Sequence, residues 1–240
     1  MSNRNKTNPL FQVGIDISNR ECLVIGGGNE SEEKCSRLLD AGANILIIAE
    51  KLTPTLNRWV EDGVIKHRVD PFCEEDLENI VLVINTVTNN TQLTQDLYKL
   101  SSQKNILVNS FDVPAYSNFG MVALVRKGHL RLSVSSSNTS PSLSSRIRQD
   151  IDDIFSTEEF LHFSQMLAEL RQNVRERIPN REKRFILLRS LVAQFEIQGE
   201  IQFPKNWQEH FDEILRCQNK NCEDLLKTCK SCPLSNETNS

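Results

Sequence analysis

The chain has 240 residues and a mass of 27.4 kDa, with 28 basic and 32 acidic side chains and a net charge of −4. A mean hydropathy of −0.40 and apolar runs well short of the roughly 20 residues of a membrane span exclude a helical membrane protein. The acidic balance offers no basic field for general nucleic-acid binding, and the polar start, Met1 to Asn8, has no apolar signal stretch, so a cytoplasmic protein is expected.

In chain order, Cys22 to Ile25 reads as a strand and Gly26-Gly27-Gly28 as a turn. A helix then passes through Lys34 and Leu38 to a terminal Gly42. The continuous apolar run from Asn44 to Ala49 suits a parallel strand covered on both faces. Val64-Ile65, Ile80 to Ile84 and Ile106 to Val108 supply three more strands, separated by helical stretches at 53–61 and 93–101. This alternation predicts a doubly wound parallel sheet. Met121 to Val125 and Leu130 to Val134 flank Gly128 and predict a hairpin. Pro141 opens a helix with Leu143, Ile147 and Ile151 at i, i+4 and i+8, and helices follow at 158–178 and 181–198. The fold class is therefore α/β, a Rossmann-like parallel sheet domain followed by a hairpin-plus-helix region and a helical C-terminal region. Residues 235–240 read as a disordered tail. Cys22, Cys35 and Cys73 stand singly and are expected to be reduced, buried or half-buried small side chains.

A glycine turn between a buried strand and a helix lets backbone N–H groups approach a pyrophosphate. Gly26 and Gly28 fit that role, while the third small position falls on Ser31; such a turn also arises for geometry alone. Glu50 ends the second strand about 20 residues on, where a carboxylate accepts from ribose hydroxyls and disfavours a 2′-phosphate, which points to NAD. Lys51 beside it opposes that inference, and a solvated Glu is the plain alternative. Asp112 follows the fifth strand at the carboxyl edge of the sheet, where ligands of such sheets bind. It is either a base that takes the proton left after hydride loss or a turn initiator ahead of Pro114. Between Asp112 and Asp150 no acidic residue occurs, while Arg126, Lys127, Arg131, Arg146 and Arg148 all do. That window suits a polycarboxylate or phosphate ligand, or is simply a solvated face. The hydroxyl-rich loop 135–140 either caps the following helix or binds a carboxylate at its N-terminus.

In order, Pro9-Leu-Phe, the glycine turn with Lys34, Leu38-Leu-Asp-Ala-Gly-Ala43, Pro71-Phe72, Ile106 to Asp112, and Thr139-Ser-Pro141 with Arg146 resemble the precorrin-2 dehydrogenase and sirohydrochlorin ferrochelatase family. That family also forms the N-terminal module of siroheme synthases, and the likeness spans about residues 9–200. The resemblance implies an NAD-binding domain at 1–115, a dimerisation region at 116–153 and a helical domain at 154–234, acting as a homodimer on a tetrapyrrole. It implies NAD contacts at Gly26, Gly28, Asn29, Glu30, Glu50 and Lys51, and Asp112 as the catalytic residue. It places Ser136, with Arg126 and Arg146, at the carboxylate-rich precorrin-2, and it leaves open the insertion of Fe2+ into the product.

The chain departs from the family near the site. Glu30-Ser-Glu-Glu-Lys34 adds negative charge beside the expected pyrophosphate, Thr88-Asn-Asn90 stands for Thr-Asp-Asp, and Ser137-Asn138 stands for paired glycines. These changes keep open a non-catalytic member that binds a tetrapyrrole or nucleotide. Cys217, Cys222, Cys229 and Cys232 lie outside the resemblance. They read as a zinc or iron–sulfur site, as a redox pair at Cys229 and Cys232, or as unligated thiols.

Overall fold

The structure is a computed structural model and describes residues 10–137, 139–190 and 192–199. The described residues fall into two compact units that divide between Asn173 and Val174. In the first unit, strands β1 (Glu21–Ile25), β2 (Asn44–Ile48), β3 (Lys66–Arg68), β4 (Ile80–Asn85) and β5 (Leu107–Ser110) form one sheet. All four pairings are parallel, and the order is β3-β2-β1-β4-β5. The chain runs outward in one direction from β1 to β3 and then in the other through β4 to β5, so the order reverses between β1 and β4.

The alternation within each strand explains why the sheet is buried on both faces. Cys22 and Val24 of β1, Ile45 and Ile47 of β2, and Leu82 and Ile84 of β4 pack with Cys35 and Leu38 of helix α1 (Asn29–Leu39) and with Leu56 of α2 (Pro54–Glu61). Leu23, Ile25, Ile48, Val83 and Val108 point the other way, onto Leu97 of α3 (Thr91–Gln103). Leu23, Val24, Ile47, Val83 and Leu97 have no exposed surface, and each such side chain contributes about 1.5–3 kcal/mol relative to exposure.

Helix starts follow local chemistry. Thr53 caps α2, accepting from Leu56 N at 3.2 Å, with Pro54 opening the helix. Asn90 caps α3, accepting from Leu93 N at 3.0 Å, so the asparagine of Thr88-Asn-Asn90 performs the cap that an aspartate performs equally well. The third strand lies later than Val64-Ile65. The amides of those two residues bond to Trp59 O at 2.8 and 3.2 Å, closing the end of α2, and sheet pairing starts at Lys66.

Beyond the sheet, β6 (Ala123–Lys127) and β7 (Leu130–Val134) form the antiparallel hairpin, turned at Gly128 with φ +54. Helix α4 (Pro141–Ile154) packs against both strands, capped by Ser140. Helix α5 (Glu158–Arg177) follows. Helix α6 spans Arg181–Ser190, shorter than the periodicity predicts, because hydrogen bonding past its end shifts to three-residue turns such as Phe195 N to Val192 O at 3.1 Å.

Cys22 and Cys35 are buried free thiols. Burial, with Glu21 nearby, pushes Cys22 up to about 11, and burial with Glu32 nearby pushes Cys35 up to about 12. Cys73 corrects the expectation for the single cysteines, since it is exposed. No helix among the described residues is long and apolar enough to cross a membrane.

Candidate active site

Because all five strands run in parallel, the segments that follow β1, β2, β4 and β5 emerge at one edge of the sheet. Gly26–Gly28, Glu50–Lys51, Thr86–Asn90 and Asp112 therefore lie along a common rim, with the reversal of strand order at its middle. This is the crevice where open α/β sheets bind ligands.

The three glycines serve different ends. Gly26 has φ +108, and a Cβ there would collide with the Thr86 hydroxyl. A Cβ on Gly27 would collide with the Lys51 carbonyl oxygen and lie 2.9 Å from Ala49 Cβ. Gly28, the N-cap of α1 with φ −87, has nothing within 4 Å of its missing Cβ and makes no side-chain cap bond. The chain's own atoms leave that space open in front of the first-turn amides of α1. A helix start of this kind is built to take an anion, so the residues present fit a dinucleotide pyrophosphate.

Acidic residues crowd this helix, yet they are engaged. Lys34, with 12% of its side chain exposed, pairs with Glu33 and lies 3.6 Å from Glu30. Glu32 accepts a 2.5 Å hydrogen bond from the Thr53 hydroxyl. Lys34 Nζ also stands 6.0 Å from the centre of the Phe111 ring, next to Asp112 in sequence. Glu50 and Lys51 are exposed at the end of β2.

Asp112 is exposed and has φ +58, a left-handed conformation that Asp tolerates better than most residues. Its turn is tightly held. Phe111 N donates to Asn85 O at 2.8 Å, Val113 N to Ser110 O at 3.1 Å, and Ser117 Oγ to Val113 O at 3.2 Å. Asn85, 1% exposed, donates from its side-chain amide to Thr94 Oγ1 at 3.1 Å and accepts at Oδ1 from Val87 N at 3.0 Å. The carboxylate thus stands on a braced loop with its head group in solvent.

Three side chains of the basic window pair with carboxylates. Arg126 pairs with Asp40, which caps the C-terminus of α1, roughly 16 Å along that helix from its start at 1.5 Å per residue. Lys127 pairs with Asp152 at 2.8 Å, and Arg146 with Asp150 at 2.7 Å. Carboxylates beyond the window, in space or one helical turn on, thus face these three side chains. Ser136 Oγ accepts from Ser140 N at 3.0 Å, so its hydroxyl builds the turn that caps α4. A cavity of about 350 Å³ lies along α1, lined by residues including Trp59, Arg37 and Arg126. No group of three or more His, Cys, Asp or Glu side chains suited to a metal occurs among the described residues. Cys217, Cys222, Cys229 and Cys232 lie outside them.

Sequence reasoning missed Gly27, Thr53, Glu32 and Asn85. Thr53 ahead of Pro54 was legible as a helix cap, but nothing local announces its second bond to Glu32.

The fold and this rim define a Rossmann-like NAD(P)-binding protein. A family profile described as "Putative NAD(P)-binding" matches residues 13–123. The siroheme synthase of Nitrosococcus oceani is 29% identical over 193 residues, covering 80% of this chain and 39% of that protein. The siroheme synthase of Xylella fastidiosa is 30% identical over 177 residues, covering 74% of this chain and 37% of that protein. The chain thus spans about two fifths of the length of these relatives. A solved structure, "SirC, precorrin-2 dehydrogenase", superposes with a TM-score of 0.65 at 25% identity, covering 77% of this chain and 90% of that one. The chain is thus similar to a precorrin-2 dehydrogenase over most of that protein's length and to part of the siroheme synthases.

Proposed function

We propose that this protein is a cytoplasmic, homodimeric dehydrogenase that oxidises precorrin-2 to sirohydrochlorin in siroheme biosynthesis, with NAD as its cofactor. The observation that carries the reading is the open space at Gly28 before the uncapped start of α1, on the same sheet edge as Asp112. NAD, when bound, supplies a hydride acceptor. The amides of Asn29 and Glu30 take the pyrophosphate charge beside Gly26 and Gly28, and Glu50, next to Lys51, accepts from the ribose hydroxyls. Oxidation of the substrate removes a hydride and a proton, and the exposed Asp112 carboxylate receives that proton from the ring system. The bracing of its turn by Asn85 and Ser117 holds it in place without burying it, which suits a bulky tetrapyrrole. Ser136 is assigned to the substrate on the resemblance, and Arg126 and Arg146 on the acid-free basic window as well; their observed partners would have to yield. Fe2+ is a second substrate to be tested in the same cleft. The region 116–153, made of the hairpin and nearly all of α4, supplies the dimerisation surface, supported by the exposed apolar residues Leu143 and Ile147 and by Ile154 at the end of α4.

Anaerobic turnover of precorrin-2 with NAD, followed by the sirohydrochlorin spectrum, tests the reading. The intact protein is expected to form product and Asp112→Ala to lose about 100-fold or more of the rate, the scale of general-base catalysis. A folded protein that binds NAD or tetrapyrrole but forms no product would be the non-catalytic member instead.

A further inference from the structure

Resting on the dehydrogenase reading, we infer that Glu32 and Thr53 are positioning residues that lock together the two loops a dinucleotide must span. The glycine turn follows β1 and the segment carrying Glu50 and Lys51 follows β2. The pairing of the strands ends at Ile25 with Ile48, with a last bond from Gly26 N to Ile48 O at 2.9 Å, so the ladder does not set the spacing of the loops beyond Gly26. Three contacts do. Thr53 N donates to Gly27 O at 3.0 Å. The flat face of Gly27 seats against the Lys51 carbonyl, where any Cβ would collide. The Thr53 hydroxyl donates to Glu32 Oε2 at 2.5 Å while accepting from Leu56 N at 3.2 Å.

Both capacities of that hydroxyl are used, so it cannot rotate away without losing a bond. On the other side, Glu32 is the residue whose N–H, bonded to Gly28 O at 3.0 Å, closes the first turn of α1. Its half-buried carboxylate is engaged by Thr53, and no side chain caps the preceding amides of α1. One hydrogen bond therefore serves two ends. With the Thr53 N to Gly27 O bond and the Gly27 seat it holds the separation of the pyrophosphate and ribose loops before ligand arrives, and it occupies an acidic group that stands near the anion site. A site whose spacing is preset loses less freedom on binding.

The test uses the full chain and compares Glu32→Ala with Glu32→Gln. Both remove the negative charge, but only glutamine can still accept from Thr53, so their difference isolates the hydrogen bond. Glu32→Ala is expected to weaken NAD about 3- to 10-fold relative to Glu32→Gln, the range for loss of one hydrogen bond. The effect should fall on the NAD KM, with kcat at saturating NAD unchanged. Amide hydrogen exchange without NAD should quicken in peptides covering 26–32 and 49–54 of Glu32→Ala and stay slow in Glu32→Gln. Equal NAD affinity in the two variants, or a loss confined to kcat, overturns the inference. If the unaltered protein binds no NAD, the dehydrogenase reading fails by itself. Exchange then decides the clamp, and identical rates in unaltered protein and Glu32→Ala would reject it.

Discussion

Ser31 Oγ and Thr86 Oγ1 lie 2.7 Å apart where the chain leaves β1 and β4. Thr86 also donates to Ile25 O at 3.0 Å, which uses its only hydroxyl proton, so Ser31 is the donor in the pair. Ser31 is fully buried and occupies the third small position of the glycine turn. A serine is tolerated there because its hydroxyl finds a partner across the point at which strand order reverses. The same threonine explains Gly26, since a side chain at that position would strike the hydroxyl.

The unequal surroundings of the glycines predict unequal variants. Gly27→Ala should lower the unfolding free energy by about 1–3 kcal/mol, the usual cost of overpacking, because a methyl group meets the Lys51 carbonyl, Ala49 and Leu52. Gly28→Ala should fold with little change in thermal midpoint, because its φ of −87 suits alanine and nothing lies within 4 Å. It should nevertheless bind NAD about tenfold more weakly, by filling the space assigned to the pyrophosphate. Thermal melts and NAD titrations of the two variants check this. Undiminished affinity in Gly28→Ala would move the cofactor elsewhere.

Asp76 predicts a pH dependence. Burial acts to raise its carboxyl, but the Arg68 guanidinium and the Cys73 N–H, which donates at 2.8 Å, prevail and hold it below the usual carboxylate range. A depressed folded value means that the stabilisation is present above the unfolded value and is lost as pH falls through the folded one. Asp76→Asn should therefore cost about 1–3 kcal/mol at neutral pH, and the gap should narrow below about pH 4, the ordinary Asp range. Urea unfolding across that range measures it, and a gap independent of pH would discount the ion pair.

The apolar side chains on α4 predict assembly. Leu143 is 54% and Ile154 50% exposed, with Ile147 between them at 39%. Exposed apolar groups grouped on one element mark an interaction surface more often than isolated ones do. Sedimentation should show a dimer for the unaltered chain and a monomer for Leu143→Asp combined with Ile147→Asp. A monomeric unaltered chain at micromolar concentration would reject the dimer.

Much of the fold was readable along the chain because its causes are local. Short continuous apolar runs placed β1, β2, β4 and β5. Pro141 announced a helix start, and Gly128 the hairpin turn. Where local signals competed, reading failed. Val64 and Ile65 look like a strand, but their amides bond to Trp59 O, and sheet pairing starts at Lys66.

By itself, the sequence determined the strand and helix alternation, the glycine turn and the position of Asp112 after the fifth strand, because these rest on periodicity and on residues a few places apart. Only the tertiary structure decided which glycine is needed for packing and which opens a space. It also paired Arg126 with Asp40 and Thr53 with Glu32. The physical reason is distance along the chain: the partners of Glu32 and Ser31 lie 21 and 55 residues away. A hydrogen bond or a steric collision at that separation exists only after the sheet has brought its strands together.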